Sequence, residues 1–311
     1  MTDIRLGPYQ LVAELGSGGM GTVYRADVVE PVDGIPVGAA VAVKVLHPHL
    51  FSTEGFYERF LREARLGRSV HHPNVVGTLD GGVVHDGGKA RHYLAMELVE
   101  GYTLRELIRR LGRVPEKKCR YIGFEIAKGL AAIHAAGIVH RDIKPENVLI
   151  TPEDTVKIMD LGVARLREES IRLSQSGDLI GSVHYAAPEC LTGLDADERA
   201  DLHALGLVLY ELVTGKHPFE APTFCSVLER VLHEKPRSLR EIDPLISPCF
   251  AALVEELLYK DREKRLTEAA RIATILQNAE CSHWWGRHCP GQLVPRAPPL
   301  TTLASRSSAR M

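Results

Sequence analysis

Short apolar stretches separated by turn residues fill the first hundred positions of the chain. The turns are rich in glycine or combine Pro, Asp and Gly, and this alternation is typical of antiparallel β-strands. The predicted strands are residues 9–14, 23–29, 39–46, 75–82 and 92–98. Between the third and fourth strands, residues 54–69 are charged and have a helical composition. The pattern therefore predicts a small antiparallel sheet with one helix.

After Gly101 the apolar residues recur at the spacing of a helix instead. One helix is predicted around residues 104–111, and a longer one follows Pro115, a residue that suits the first turn of a helix. Further helices are predicted at 200–214, 223–234, 248–260 and 267–280. Because the strands come first and the helices after them, we expect an α+β fold with two lobes. The expected domain covers 9–280, with a β-rich lobe over 9–99 and a helical lobe over 100–280.

Composition places the chain among globular proteins, since 45% of its 311 residues are hydrophobic and 25% are charged. Its most apolar stretch, 202–213, contains His203 and Glu211 and is shorter than the roughly 18 residues of a membrane-spanning helix, so no membrane span is expected. The N-terminus lacks the apolar core of a secretory signal, and the scattered cysteines form no disulfide framework; both favour a cytoplasmic location. A formal net charge of −2 provides no basic field for nucleic acid.

The segment 281–311 differs from the rest of the chain in composition. It contains four arginines, no acid, and several Pro, Ser and Thr residues with little apolar periodicity. Such a segment cannot bury enough apolar area to fold. We expect a basic Pro/Ser/Arg-rich tail that is disordered.

A glycine-rich sequence lies between the first two predicted strands. It runs G-x-G-x-x-G-x-V and consists of Leu15, Gly16, Ser17, Gly18, Gly19, Met20, Gly21, Thr22 and Val23. Glycines let a backbone close over phosphate oxygens, because no Cβ blocks the inward-facing N–H groups. A plain glycine-rich hairpin and a dinucleotide-binding turn are the alternatives. The second requires a strand that runs into a helix, whereas residues 22–29 continue as a strand.

One lysine, Lys44, interrupts an otherwise apolar strand about twenty residues later. Its charge would be largely desolvated there unless it met anions. Nucleotide phosphates and a carboxylate are the expected partners. Glu63 on the following predicted helix is the first candidate for the carboxylate, and Glu58 is a weaker one. The alternative is a lysine that reaches water from the end of a strand.

A cluster of charges precedes the apolar run 148–150. His-Arg-Asp-Ile-Lys-Pro-Glu-Asn occupies 140–147, and Asp-Leu-Gly follows at 160–162. Proline and charge mark the first segment as a loop, so Asp142, Asn147 and Asp160 are expected to converge from two loops. An Asp and an Asn supply hard oxygen ligands suited to Mg²⁺, and the remaining Asp can orient an attacking hydroxyl.

Together these motifs resemble the signature set of the protein kinases. The resemblance spans residues 9 to about 279 and includes Ala-Pro-Glu at 187–189, Asp201 with Gly206, and Arg265. The glycine-rich loop and the Thr-Gly-Lys-His-Pro-Phe sequence at 214–219 are most similar to bacterial serine/threonine kinases of the eukaryotic type. The resemblance implies a Ser/Thr protein kinase of signal transduction that uses ATP and Mg²⁺, with Mn²⁺ as an alternative, and that phosphorylates its own copies in a transient homodimer.

The resemblance also implies a role for each candidate residue. Residues 15–23 would cover ATP, and Lys44 would hold its α- and β-phosphates while paired with Glu63. The catalytic residues would be Asp142, which accepts the proton of the protein hydroxyl, and Lys144, which screens the phosphoryl group. Asn147 and Asp160 would bind Mg²⁺. The adenine would be bound by the side chains of Val23, Ala42 and Leu149 and by the backbones of Glu97 and Val99, beyond a gatekeeper at Met96.

Two further expectations concern regulation and alternatives. Ser170, Ser174 and Ser176 lie in a mixed polar segment, and a phosphate on one of them would meet the cation of Arg141 next to the catalytic Asp. A pseudokinase scaffold and a small-molecule phosphotransferase are the competing functions. Three departures from the family pattern, Leu161, His203 and Arg262, are expected to leave activity intact.

Overall fold

The first lobe is built on a six-stranded antiparallel sheet. A computed structural model describes residues 4–52, 55–86, 88–161 and 183–278, except for the side chains of Arg59, Glu63 and Asp86. The strands are β1 (Ile4–Leu6), β2 (Tyr9–Gly18), β3 (Gly21–Val28), β4 (Ala40–Leu46), β5 (Thr78–Asp86) and β6 (Lys89–Glu97). Their order in the sheet is β1-β2-β3-β4-β6-β5. The expected small antiparallel sheet is therefore confirmed.

Two features of this sheet differ from the sequence-based expectation. Strand β1 is not predicted by the sequence pattern, because three residues are too few to show a period. It pairs with β2, with Ile4 opposite Leu11 and Leu6 opposite Tyr9. The strand expected from residue 75 begins only at Thr78. Val76 instead donates its N–H to the carbonyl of Ile158 at 2.8 Å, in the second lobe. Val75 and Val76 thus join the two lobes and do not extend strand β5.

One α-helix packs against the sheet, as expected. Helix α1 covers Phe56–Ser69 and follows a 3₁₀ turn at Pro48–Ser52. Phe56 and Phe60 are buried in a cluster with Leu46 and Leu50, and Met20 packs against its edge. This cluster fixes the N-terminal half of the helix to strand β4 and to the glycine-rich hairpin.

The second lobe is mainly helical and contains one small sheet. The sheet consists of β7 (Tyr102–Thr103), β8 (Val148–Ile150) and β9 (Val156–Ile158). The helices are α2 (Leu104–Leu111), α3 (Glu116–Ala135), α4 (Pro188–Leu191), α5 (Glu198–Thr214), α6 (Phe224–His233), α7 (Leu239–Ile242), α8 (Pro248–Leu257) and α9 (Ala269–Asn278). Short 3₁₀ turns lie at Pro145–Asn147 and Arg262–Lys264.

Helix α5 forms the centre of this lobe. Every residue from Ala200 to Thr214 is buried, which explains why its sequence is apolar almost without a period. The side chain of Asp197 caps its first turn by accepting the N–H of Arg199, and Gly215 ends it with a φ of 74°. Of the helices in the described ranges, none is long and apolar enough to cross a membrane. The apolar run noted in the sequence is this core helix.

Candidate active site

The glycine-rich sequence forms a tight hairpin between β2 and β3. Gly18 pairs with Gly21 across it, so Gly19 and Met20 make the turn. A Cβ built on Gly16 or Gly18 would meet nothing within 4 Å, whereas one on Gly21 would collide with the carbonyl of Val45. The first two glycines therefore border open space, as a phosphate cradle requires, and the third is needed for close packing on β4.

Met20 has a structural role in this hairpin. Its side chain packs against the apolar cluster at the start of α1, and its carbonyl accepts the N–H of His47 at 3.0 Å. The ring nitrogen Nε2 of His47 also lies 3.1 Å from the carbonyl oxygen of Gly18. These contacts hold the tip of the hairpin to the end of β4.

Lys44 projects from β4 towards the second lobe and forms an ion pair with Asp160. Its Nζ lies 2.9 Å from Asp160 Oδ2, and the two side chains are 13% and 30% exposed. The sequence predicts Glu63 as the carboxylate partner; its side chain lies outside the described part of the chain, although its backbone belongs to α1. The structure thus brings the predicted phosphate lysine to the predicted metal ligand.

An apolar pocket wall lies behind this pair. Ala42 and Met96 face each other across β4 and β6 and are 8% and 7% exposed. Val23 and Val99 pack against the same cluster. Leu149, on β8, is only partly buried. Val23, Ala42 and Leu149 are the side chains expected around an adenine ring, and Met96 is the expected gatekeeper.

The segment that links the lobes is anchored through Glu97. Its N–H donates to the carbonyl of Gly77 at 2.8 Å, and its carboxylate binds Lys157 Nζ at 2.9 and 3.0 Å. The Glu97 carboxylate is therefore engaged with β9. The backbone N–H and C=O groups of this segment are therefore the groups that could bind the edge of a base.

The charged loop at 140–147 gathers around Asp142. Lys144 Nζ lies 2.8 Å from Asp142 Oδ2. The side-chain nitrogen Nδ2 of Asn147 donates to the same oxygen at 2.9 Å and to the Asp142 carbonyl at 2.8 Å. The carbonyl of Asn147 accepts the N–H of Met159 at 3.0 Å, which places Asp160 beside the loop. The two predicted loops therefore converge.

Asp201 on α5 fixes the backbone of the charged loop at 140–147. Its carboxylate accepts the N–H of His140 at 2.8 Å and that of Arg141 at 2.7 Å, and it lies 2.8 Å from His134 Nε2. Arg141 and Asp160 have φ angles of 64° and 58°, a left-handed conformation that is unusual for residues with a side chain. Because this carboxylate is fully buried, it can hold the strained loop in place. The sequence indicates Asp201 only through the resemblance and gives it no role.

The donor set at the junction suits a magnesium ion. Both hydrogen bonds from the Asn147 side chain to Asp142 use its nitrogen, so its amide oxygen can serve a cation. Asp160 supplies a carboxylate, which is paired with Lys44. Hard oxygen ligands in this combination are those that Mg²⁺ prefers. No group of three or more His, Cys, Asp or Glu side chains within the described ranges forms a separate metal site.

A second charged cluster, which we call the Arg105 cluster, is not indicated by the sequence. It consists of Arg105 on α2, Glu146 in the charged loop, Glu211 on α5 and Tyr185 before α4. The hydrogen bonds and Glu carboxylates raise the pKa of Arg105 although burial opposes this, and burial beside Glu211 raises the pKa of Tyr185 well above 10.0. Members lie up to 106 residues apart in the chain, so no local pattern reveals them.

A buried ion pair lies within the second lobe. Arg265 binds both carboxylate oxygens of Glu189, at 2.6 and 2.7 Å, and the two side chains are 0% and 4% exposed. Arg265 also donates to the carbonyl of Tyr259 at 2.7 Å. The pair therefore holds helix α4, and the loop before it, against the rest of the lobe.

Several predicted features fall outside the described residues. They are Gly162, the serines Ser170, Ser174 and Ser176, and the tail 281–311.

Comparisons with known proteins agree with this geometry. The family model described as the protein kinase domain matches residues 9–280. A probable serine/threonine-protein kinase of Corynebacterium efficiens is 36% identical over 282 residues, covering 89% of this chain and 42% of that protein. The serine/threonine-protein kinase PknA of Mycobacterium tuberculosis is 35% identical over 303 residues, covering 96% of this chain and 68% of that protein.

A solved structure has the same fold. The kinase domain of PknI from Mycobacterium tuberculosis, in a single-site mutant form, aligns with a TM-score of 0.69 and 25% identity, covering 89% of this chain and 98% of that one. The chain spans less than half the length of several bacterial relatives, 42% and 48% in two cases. The expected α+β fold with two lobes is confirmed, and the chain belongs to the protein kinase family, among the serine/threonine kinases of bacteria.

Proposed function

We propose that this chain transfers the γ-phosphoryl group of ATP to serine and threonine hydroxyls of proteins. The observation that carries the proposal is the convergence of two pairs, Lys44 with Asp160 and Asp142 with Lys144, joined through Asn147. A cation for phosphates, a carboxylate for a hydroxyl and oxygen ligands for a metal thus lie side by side. A binding scaffold would not need all three.

In the proposed reaction, the hydroxyl oxygen of the protein forms a bond to the γ-phosphorus. The bond from that phosphorus to the β,γ-bridging oxygen breaks, and ADP leaves with the electron pair. Asp142 orients the hydroxyl and takes its proton as the new bond forms. Lys144 lies 2.8 Å from Asp142 and neutralises charge on the transferring group. Because the transition state is loose, positioning supplies most of the rate enhancement.

ATP is assigned to the cleft between the glycine-rich hairpin and the charged loop. The hairpin N–H groups and Lys44 would hold its phosphates, and the backbones of Glu97 and Val99 would bind its base beside Ala42. Asn147 and Asp160 would hold Mg²⁺ or Mn²⁺, which supplies neutralisation of phosphate charge when bound.

We also propose the setting in which the kinase acts. Its substrates are proteins, and copies of the chain phosphorylate one another in a transient homodimer at Ser170, Ser174 or Ser176. Its ATP dependence and its scattered cysteines favour a cytoplasmic location. Nucleic acid is not among the proposed partners.

The test compares Lys44→Met and Asp142→Asn with matched controls. Lys118→Met and Asp154→Asn make the same changes in an ion pair between α3 and the turn before β9, away from the cleft. We expect the first two variants to lose phosphoryl transfer to a protein substrate by orders of magnitude with unchanged circular dichroism. The controls should keep it, and the phosphorylated residues should be Ser or Thr. Near-normal transfer by either site variant, or mainly phosphotyrosine, would contradict the proposal.

A further inference from the structure

Arg105 uses all three nitrogens of its guanidinium on groups from three other parts of the lobe. Its Nε lies 2.7 Å from Glu146 Oε1, its Nη1 2.5 Å from Glu211 Oε1, and its Nη2 donates to the Tyr185 hydroxyl at 2.7 Å. The Tyr185 hydroxyl in turn donates to the other oxygen of Glu211. Two carboxylates and one phenol oxygen therefore surround a single guanidinium.

The Arg105 cluster lies next to Asp142, the residue proposed to orient the acceptor hydroxyl. Glu146 stands between Lys144 and Asn147, and both of these bind Oδ2 of Asp142. An extended peptide advances about 3.3 Å per residue, so side chains one or two residues from the acceptor reach the neighbourhood of Glu146. The Glu146 side chain is 46% exposed, while that of Glu211 is 7% exposed. The cluster thus opens to solvent on the side of the catalytic loop.

The arrangement has the chemistry that recognises an arginine. Planar guanidinium groups bind carboxylates through several charge-assisted hydrogen bonds, and two carboxylates in reach make such binding strong. Here the guanidinium comes from the chain itself. To bind both carboxylates, a basic side chain of a substrate would have to displace Arg105 and break its three hydrogen bonds.

We propose that Arg105 is a specificity-determining residue that fills this position and steers the kinase away from substrates with a basic side chain beside the phosphorylated residue. The inference rests on the proposed protein kinase activity. Its substrates at this position carry neutral side chains.

The position of Arg105 on α2 allows its side chain to be removed as a test of the proposal. A capping box of Thr103 and Glu106 fixes the start of this helix independently of Arg105. Arg109 lies one turn further on the same helix and is exposed, so Arg109→Ala removes an equal charge outside the cluster. The Arg105→Ala variant leaves the two carboxylates without their cation.

The first experiment measures kcat/KM for pairs of serine peptides that differ only by Arg or Ala at each of the two positions on either side of the serine. Wild type and Arg109→Ala should show equal or lower values for the Arg peptides. For Arg105→Ala we expect the ratio of Arg to Ala peptide to rise about tenfold or more at one position, as one charge-assisted pair predicts. An unchanged ratio at all four positions in a folded variant would overturn the proposal.

The second experiment tests the cluster without turnover. Methylguanidinium chloride at millimolar concentration should raise the melting temperature of Arg105→Ala and leave that of wild type and Arg109→Ala unchanged. It should also cancel the preference of Arg105→Ala for the Arg peptide. If methylguanidinium stabilises none of the three proteins selectively, the cluster is not a guanidinium site. If wild type phosphorylates no peptide or protein, the proposed function fails while this measurement still decides the site.

Discussion

Replacing His203 with phenylalanine should make the protein more stable. His203 lies on the central helix α5 with 0% of its surface exposed. Within the described part of the chain, neither of its ring nitrogens has a hydrogen-bond partner. Burial, and then the nearby Arg265, Lys260 and His217, hold its pKa well below 6.5, so the ring is neutral. It therefore buries one donor and one acceptor that no described residue satisfies.

The expected gain follows from these two nitrogens. Each buried polar group left unsatisfied costs about 1–3 kcal/mol. Phenylalanine is larger than histidine, and overpacking of a core returns about 1–3 kcal/mol of that gain. We expect the free energy of unfolding to rise by about 1–3 kcal/mol, and each kcal/mol raises Tm by about 2–4 °C in a domain of this size.

Urea unfolding and thermal melts of the purified protein measure this effect. His203→Leu, which adds less volume, separates the removal of the nitrogens from the packing of a larger ring. His217→Phe is the comparison variant. Nε2 of His217 also lacks a partner among the described residues, but its Nδ1 accepts the N–H of Phe219 at 3.2 Å, so this substitution breaks an existing bond and should give a smaller gain. Equal or lower stability in both His203 variants, with an unchanged denaturant slope, would refute the claim that these nitrogens destabilise the core.

Acid should destabilise wild type more than His203→Phe. Burial and the nearby His184 lower the pKa of His217 to about 3, and the pKa of His203 is lowered as well, so the unfolded chain binds more protons than the folded one. Stability therefore falls as the pH drops below about 6.5, by up to about 1.4 kcal/mol per pH unit for each histidine, and unfolding free energies at several pH values should give a shallower slope for His203→Phe. Arg265→Met should lower the free energy of unfolding by about 3–5 kcal/mol, because it leaves the Glu189 carboxylate buried without its cation; a loss below about 1 kcal/mol in denaturant unfolding would contradict this.

Features of the fold that depend on neighbouring residues could be predicted from the sequence. The helix at α5 followed from a continuous apolar run, and the glycine hairpin followed from three glycines between two strands. Strand β1 escaped prediction because it is short and depends on pairing with β2. The start of β5 was misplaced because Val76 forms a hydrogen bond to Ile158, a contact between distant parts of the chain that strand periodicity cannot show.

In the site, too, residues close together in the chain could be predicted and contacts between distant residues could not. Asp142, Asn147 and Asp160 lie in two short motifs, and their convergence was expected from the sequence. The partners of Arg105 could not be predicted, because they come from the charged loop at 140–147, from α5 and from the loop before α4. Histidine at 203 is a departure from the family pattern that the sequence shows, but only its burial shows that it affects stability.

The binding of the charged loop at 140–147 by Asp201 affects how the lobe opens in solution. Segments whose amides bond to mobile or exposed groups exchange their hydrogens through small local openings. The amides of His140 and Arg141 bond instead to a carboxylate on the most buried helix of the lobe. Releasing them would leave that carboxylate buried without these donors, which only the opening of α5 can relieve. The charged loop at 140–147 therefore belongs to the same cooperative unit as the core, and its geometry persists until that core unfolds.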